Sequence, residues 1–456
     1  MRSRWSFDSY LEHLCDALGH SDRRPGLMGY CQGLMLPIER KSVEPLAAQL
    51  EPSRVGARHQ SLHHFVAQSD WSDVAVLEQV RRWVLPHMDP RGGVYWIVDD
   101  TGFPKKGKNS VGVARQYCGQ LGKQDNCQVA VSLSVATNQA SLPVAYQLYL
   151  PQPWADDEVR RRRAGVPEHV GFATKSQIAL KQLHEARQTG APDGVVLADA
   201  AYGDETAFRE GLTELGLKYA VGIRSTTTVW PAGVEPLAPK PWSGRGRKPK
   251  LLRRDRQHQP PSVKALAMQL DPKRFRTVRW REGTNDTLAS RFAMVRVCAA
   301  HRDYWRASLR EPQWLLIEWP QGDAEPFKYW LSTLPKAVSL RHLVETAKMR
   351  WRIERDYQEL KQEFGLAHYE GRGWRGFHHH ATLCIAAYGY LVAERLREEG
   401  SKKNSAHRAF LPLPEGYVPR GASAATKARA LLNQNTTMAA GRRHRSPLRP
   451  MSVLPN

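Results

Sequence analysis

The sequence predicts an α/β protein in which a mixed sheet carries helices on its faces, with a helical region before it and a β-rich insertion within it. Two short, uninterrupted apolar runs, Val94 to Val98 and Val195 to Ala198, have the composition of strands buried on both faces. Between them Val129, Val131, Leu133 and Val135 alternate with small or polar residues, and Leu142, Val144, Tyr146, Leu148 and Leu150 do the same after a Thr-Asn-Gln-Ala-Ser turn, which predicts a hairpin. Upstream of Val94 the apolar residues recur only at helical spacing.

Taken in order, residues 1–88 read as a helical region ending at the Pro90–Gly93 break. Residues 89–224 hold the first strand, the hairpin, a helix over Lys175–Arg187 stopped by Gly190 and Pro192, the second buried strand, a helix over Glu205–Leu215 and a strand over Lys218–Ile223. Three strands, helix, strand, helix, strand is the order of a mixed sheet covered by helices. Residues 225–312 interrupt it, first with Pro, Gly and Arg, then with strand-like alternation rich in aromatics. Residues 313–398 resume the α/β pattern, and a single helix is predicted from Leu340 to Phe364, closed by Gly365. Residues 399–456 lose apolar periodicity and carry Arg442-Arg443-His444-Arg445, which predicts a basic, loosely ordered tail.

Composition narrows the function. Hydrophobic residues make up 41% of the 456 positions, enough for a substantial core. The 67 Lys and Arg outnumber the 45 Asp and Glu, a formal charge of +22, and such a surplus seeks a polyanion. No apolar run approaches the roughly 20 residues of a membrane span, and Met1-Arg2-Ser3-Arg4-Trp5 lacks a signal-peptide core, so a soluble intracellular protein is expected. Cysteines at 15, 31, 118, 127, 298 and 384 form no Cys-x-x-Cys pair. A catalytic metal would therefore sit on carboxylates, which favours Mg²⁺ or Mn²⁺.

The carboxylates that stand out follow the two buried strands: Asp99-Asp100 and Asp199. An acid in such a place is costly to desolvate unless it is paired or binds a cation, although a helix N-cap is the ordinary alternative. A third acid must come from the predicted helix, where Glu345, Glu354, Glu359 and Glu363 compete. Arg350 and Lys361 fall within about 40° of Glu354 around the helix, whereas Glu359 lies about 140° away and Glu345 about 180°. Geometry alone puts Glu354 modestly ahead, and an ordinary i,i+4 ion pair explains Arg350 equally well.

Three stretches together resemble one family. Arg350-Trp351-Arg352-Ile353-Glu354 followed by Lys361 resembles the Y-x-x-R-x-x-x-E-x-x-x-x-x-x-K signature of the DDE transposases of bacterial insertion sequences. Val98-Asp99-Asp100-Thr101-Gly102-Phe103-Pro104-Lys105-Lys106-Gly107 and Leu197-Ala198-Asp199-Ala200-Ala201-Tyr202-Gly203 resemble its two Asp motifs, and the similarity spans about residue 25 to about residue 395. Ala347 stands where the signature has Tyr, which puts the strand-end contact of that Tyr in question. The resemblance implies a ribonuclease-H-like catalytic domain and the metal ligands Asp100, Asp199 and Glu354, with Asp99 as the alternative first ligand because neighbouring strand residues face opposite ways. It further implies two Mg²⁺ or Mn²⁺ ions, cleavage at transposon DNA ends, and strand transfer into target DNA. The expected partner is double-stranded DNA, both terminal inverted repeats and target, bound by a homodimer on paired ends in a bacterial cytoplasm, nucleoid-associated. Arg350 and Lys361 would hold phosphates.

Other features are weaker. Lys105, Lys106 and Lys108 could follow the DNA backbone, as could Arg245, Arg247 and Lys248 in the segment running to Arg254. Trp280, Tyr304 and Trp305 could stack on an unpaired base, though aromatics in β-rich segments more often build core. His378-His379-His380 shows no companion ligand spacing and is assigned no role. The competing readings are a catalytically inactive DNA-binding derivative, a metal-dependent endonuclease without strand transfer, and an RNA-binding protein, for which no RRM or KH signature is visible.

Overall fold

The computed structural model describes residues 6–282 and 287–402. Apart from its first residues, at the end of the last helix, the tail expected over 399–456 lies outside them.

The chain opens on helices α1 (Phe7–Cys15), α2 (Arg24–Met35), α3 (Val43–Leu50), α4 (Val55–Ala67) and α5 (Asp73–Val84). Ser6 and Ser72 start α1 and α5 by accepting the Ser9 and Ala75 N–H groups, which satisfies donors a helix start otherwise leaves orphaned. The sheet follows with β1 (Tyr95–Pro104), β2 (Ala114–Cys118), β3 (Lys123–Ala136) and β4 (Ser141–Leu148). Next come α6 (Gln152–Ala155), α7 (Glu158–Ala164), α8 (Lys175–Gln188), β5 (Val195–Ala198), α9 (Ala200–Gly203), α10 (Thr206–Glu214) and β6 (Tyr219–Ile223). The inserted stretch contributes β7 (Val229–Pro231), α11 (Val263–Gln269), β8 (Arg276–Glu282) and β9 (Thr287–Ala299). The chain then returns through β10 (Gln313–Glu318), β11 (Lys328–Ser332), α12 (Leu340–Lys348), α13 (Trp351–Gln362) and α14 (Trp374–Lys402).

The first half of the sheet runs β4–β3–β1–β5–β6. The first three strands pair antiparallel and the last three parallel, which is the ribonuclease-H-like arrangement. The insertion does not build a separate sheet. Strand β11 pairs antiparallel with β6, and β10, β9 and β7 continue outward from it. A smaller apolar cluster under these strands, including Val229, Val263, Val297, Leu315 and Leu331, gives the insertion its own core.

Two predicted elements differ. Strand β1 does not stop at the acids: it stays paired with β3 as far as Pro104↔Cys127, whereas its pairing with β5 ends at Ile97↔Leu197. The helix predicted over 340–364 is two helices. At Met349–Arg350 the backbone bonds tighten to three-residue spacing, Met349 N–H to Thr346 O at 3.1 Å and Ile353 N–H to Arg350 O at 3.2 Å, and the helix is interrupted.

Helix α14 is apolar on nearly every side because it lies inside the helical layer, against α2, α4, α5 and β4. No described helix is long and apolar enough to cross a membrane. The three consecutive histidines near its start are structural ties. His378 Nδ1–H donates to Trp374 O at 2.9 Å and Nε2 accepts the Leu148 N–H at 3.2 Å. His379 stacks on Trp71 with centroids 3.6 Å apart. His380 Nδ1 accepts from Tyr30 Oη at 2.9 Å, and its Nε2–H donates to Gly365 O at 2.9 Å. Burial pushes His380 down to about 4, because no water is available to solvate an imidazolium. The unfolded chain therefore binds a proton that the folded chain refuses. Stability from this residue is complete above pH about 6.5 and is lost progressively toward pH about 4, by roughly 3 kcal/mol in all. In urea titrations over that window, His380→Gln, which keeps a donor and an acceptor but does not titrate, is expected to give a shallower loss than wild type.

Candidate active site

The acids are brought together by strand register. Asp99 and Asp199 each lie two residues beyond the last β1–β5 pair, so they stand side by side on one face of the sheet. Across β3, Asp99 is opposite Ser132, whose hydroxyl is hydrogen-bonded to Tyr357 on α13. That face is therefore the one covered by the helix carrying Glu354. Asp100 points the other way, toward α8, where its Oδ2 is 2.8 Å from Lys175 Nζ. Asp100, the preferred first ligand in the sequence reading, does not share the Glu354 face. Its neighbour Asp99 does, because one step along a regular strand reverses the side chain.

Arg350 joins this face together. One guanidinium nitrogen is 3.0 Å from Asp99 Oδ2 and the other 3.4 Å from Glu354 Oε1. Burial disfavours its charge, but the carboxylates of Asp99, Asp199 and Glu354 outweigh that and raise its pKa above the usual arginine value. Asp99 is pushed up to about 7, first by burial and then by the like charges of Asp199 and Asp100, against the pull of Arg350. Asp199 caps α9, accepting the Ala201 N–H at 2.9 Å. Glu354 is the most open of the group, its side chain 67% exposed. Lys361, one α13 face further along, donates to Gly102 O at 3.0 Å.

Among the described residues no three His, Cys, Asp or Glu side chains form a metal-ligand shell. The donor set nevertheless suits a hard divalent cation. It consists of carboxylates alone, they repel one another, and the buried Tyr202 hydroxyl, in the field of Asp99, Asp100 and Asp199, has no hydrogen-bond partner among the described residues. Two protein cations, Arg350 and Lys175, balance part of that charge.

The other nominated residues divide. Lys105 is half-buried and donates to Tyr369 O at 2.8 Å, whereas Lys106 and Lys108 are exposed. Arg245, Arg247 and Lys248 sit on a fully exposed loop closed at its base by paired bonds between Leu237 and Arg253, both 2.9 Å. Trp280 is half-buried against the core: it packs on Phe292, with Lys348 Nζ 4.3 Å from its ring centroid. Tyr304 and Trp305 are exposed and flanked by Arg254 and Arg302. Ala347, where the signature has Tyr, is buried.

Sequence reading missed two features. One is Lys175, whose role depends on a contact 75 positions away. The other is the arginine run of α7: Arg160 donates to Lys108 O at 3.2 Å, and Val111 N–H donates to Arg372 O at 3.0 Å. These bonds gather exposed Lys106, Lys108, Arg162, Arg163 and Arg372 into one basic surface. The run itself was visible in the sequence, but its neighbours were not.

An α/β chain with a ribonuclease-H-like sheet and acids clustered at the carboxyl ends of its central parallel strands defines a class of polynucleotide-processing folds. The chain belongs to the DDE superfamily endonucleases, whose family model matches residues 13–287. It is 34% identical over 195 residues to a probable transposase for insertion sequence element IS701 from Microchaete diplosiphon, covering 42% of this chain and 47% of that protein, so the match spans about half of the relative's length. Among solved structures it is similar to a piggyBac transposase synaptic complex with hairpin DNA, at TM-score 0.33 and 9% identity over 90% of this chain and 80% of that one.

The turn into α13 is anchored by Lys348, which pairs with both oxygens of Glu318 at 2.7 Å and lies within reach of the Trp280, Phe292 and Trp330 rings. Glu318 is 4% exposed. Lys348→Met strands that carboxylate, and a loss of about 3–5 kcal/mol is expected in chemical denaturation. Adding Glu318→Gln should recover much of it.

Proposed function

We propose that this protein is a transposase that cuts DNA at transposon ends and joins the freed end to target DNA, using divalent metal ions held by Asp99, Asp199 and Glu354. The observation that carries the reading is the gathering of these three carboxylates around Arg350 at the end of the β1–β5 pair, in a chain of the DDE endonuclease family. The resemblance favours Asp100 as the first acid. The shared face with Asp199 and α13 favours Asp99, and we assign it that role.

Bound at these carboxylates, Mg²⁺ or Mn²⁺ supplies Lewis-acid polarisation of the scissile phosphate and a water acidic enough to attack it, and a pair of ions serves both the entering and the leaving oxygen. The residues do the rest. Asp99 and Asp199, fixed by strand register and by the α9 cap, present their oxygens without a search through rotamers. Glu354, the exposed member, closes the set from α13. Arg350 exchanges carboxylate oxygens for phosphate oxygens at the same charge-assisted geometry. Lys361 lies on the same helical face. The basic surface of Lys106, Lys108, Arg162, Arg163 and Arg372, with the loop bearing Arg245, Arg247 and Lys248, suits the backbone of duplex DNA approaching the acids. Two copies on paired ends complete the proposed assembly.

The deciding experiment is cleavage and joining of the element's own ends in Mg²⁺. Asp99→Ala, Asp199→Ala and Glu354→Ala should each lose activity by on the order of a thousandfold or more, with folding intact. Activity lost in Asp100→Ala but kept in Asp99→Ala would return the first-ligand role to Asp100. Cutting without joining would reduce the protein to an endonuclease. Replacing Arg162, Arg163 and Arg372 together by Ser should lower the slope of log affinity against log salt by about 2 to 3, roughly 0.9 per phosphate contact. An unchanged slope would remove that surface from the DNA path.

A further inference from the structure

We infer that Lys175 is a positioning residue of the active site: it is the resident counter-cation of Asp100, and its charge weakens the hold of the neighbouring acids on a divalent ion.

The placement of Lys175 is poor for its own helix. It is the first residue of α8, where the helix dipole favours negative charge, and the first turn of α8 contains no acid. The helix start is instead secured by its neighbours. Thr174 Oγ1 accepts the Gln177 N–H at 3.2 Å, and Gln177 Oε1 accepts the Thr174 N–H at 2.8 Å, a complete capping box. Lys175 is thus not needed to begin α8. What it does is reach across to Asp100, 2.8 Å away, with both side chains largely withdrawn from solvent, 31% and 24% exposed.

The reach is fixed by packing. Gln182 of α8 donates to Val131 O at 3.1 Å, and Val131 is the register partner of Asp100 on β3. Helix α8 is therefore docked on the strand position next to the acid, and the ammonium is held over Asp100 with the Tyr149 ring 6.0 Å away. Around the end of β1 and β5 stand four carboxylates, Asp99, Asp100, Asp199 and Glu354, against the two cations Arg350 and Lys175 that are paired with them. A divalent ion brought to this cluster meets the positive charge of Lys175 as well as the acids. Lys175 is paired with Asp100, the carboxylate next in sequence to Asp99, so its charge lies close behind the acids that would hold the ion.

The inference, which rests on the metal-dependent reading of the site, is tested by Mn²⁺ binding to the full-length protein in isothermal titration calorimetry without DNA. Lys175→Met should bind Mn²⁺ about tenfold more tightly than wild type, since a unit positive charge is removed from beside the ion. Lys175→Arg, which keeps the charge, should stay within about twofold of wild type. Thr174→Ala weakens the start of α8 by a similar mechanical route and should leave Mn²⁺ affinity unchanged, which separates electrostatic repulsion from a loosened helix. Affinity in Lys175→Met equal to or weaker than wild type, or tightened equally in Thr174→Ala, overturns the inference while leaving the proposed function standing. Wild-type protein that binds no Mn²⁺ overturns both.

Discussion

Like charges forced together by strand register are the constraint on which the rest of this structure depends. Parallel pairing of β1 with β5 leaves Asp99 and Asp199 as neighbours just beyond the last paired residues. The sheet cannot form without bringing them close, and burial removes the water that would otherwise screen them. Arg350 offsets this arrangement in the structure by bridging Asp99 and Glu354. Its position follows from the turn between α12 and α13, and that turn is held from the far side by Lys348 and Glu318. The insertion is thus not an appendage: its strands β8 and β9 supply Trp280 and Phe292, which with Glu318 of β10 surround Lys348 at the end of α12.

The two faces of β1 carry two different solutions to the same electrostatic problem. On the α13 face a guanidinium with a fixed fork contacts two carboxylates at once. On the α8 face a lysine contacts one. Arginine keeps its charge in a desolvated site and binds phosphate with the same geometry, so it can pass from protein acid to substrate without changing protonation. An ammonium is a compact point charge that holds its acid without a fixed fork. Adjacent acids of identical type are therefore placed to answer differently when an ion arrives.

Much of this was legible in the amino-acid sequence. The buried strands announced themselves as continuous apolar runs and the β3–β4 hairpin by period-two alternation, while the helical face that Glu354 shares with Arg350 and Lys361 put it only modestly ahead of its neighbouring acids. Other features were not legible, for identifiable reasons. The extension of β1 to Pro104 depends on the length of β3, which no local pattern in β1 encodes. The break at Met349–Arg350 contains neither Pro nor Gly, and ion pairs flank it, Lys348 with Glu318 and Arg350 with Asp99. Trp280 and Tyr304 looked alike as aromatics in a β-rich segment, yet one packs half-buried over Lys348 and the other is exposed. The histidine triplet looked like a possible site and became three buried hydrogen-bonded ties, because the inside of α14 needed partners for the carbonyls facing it.

The sequence by itself determined the class of sheet, the three regions of the chain that supply acids, and the basic surplus, because each is written in local composition or short-range periodicity. Only the tertiary structure decided which of two adjacent aspartates faces Glu354, which lysines point outward, and that Lys175 meets Asp100. Those outcomes depend on strand register and on contacts between residues far apart in the chain, and a step of one residue along a strand is enough to reverse them.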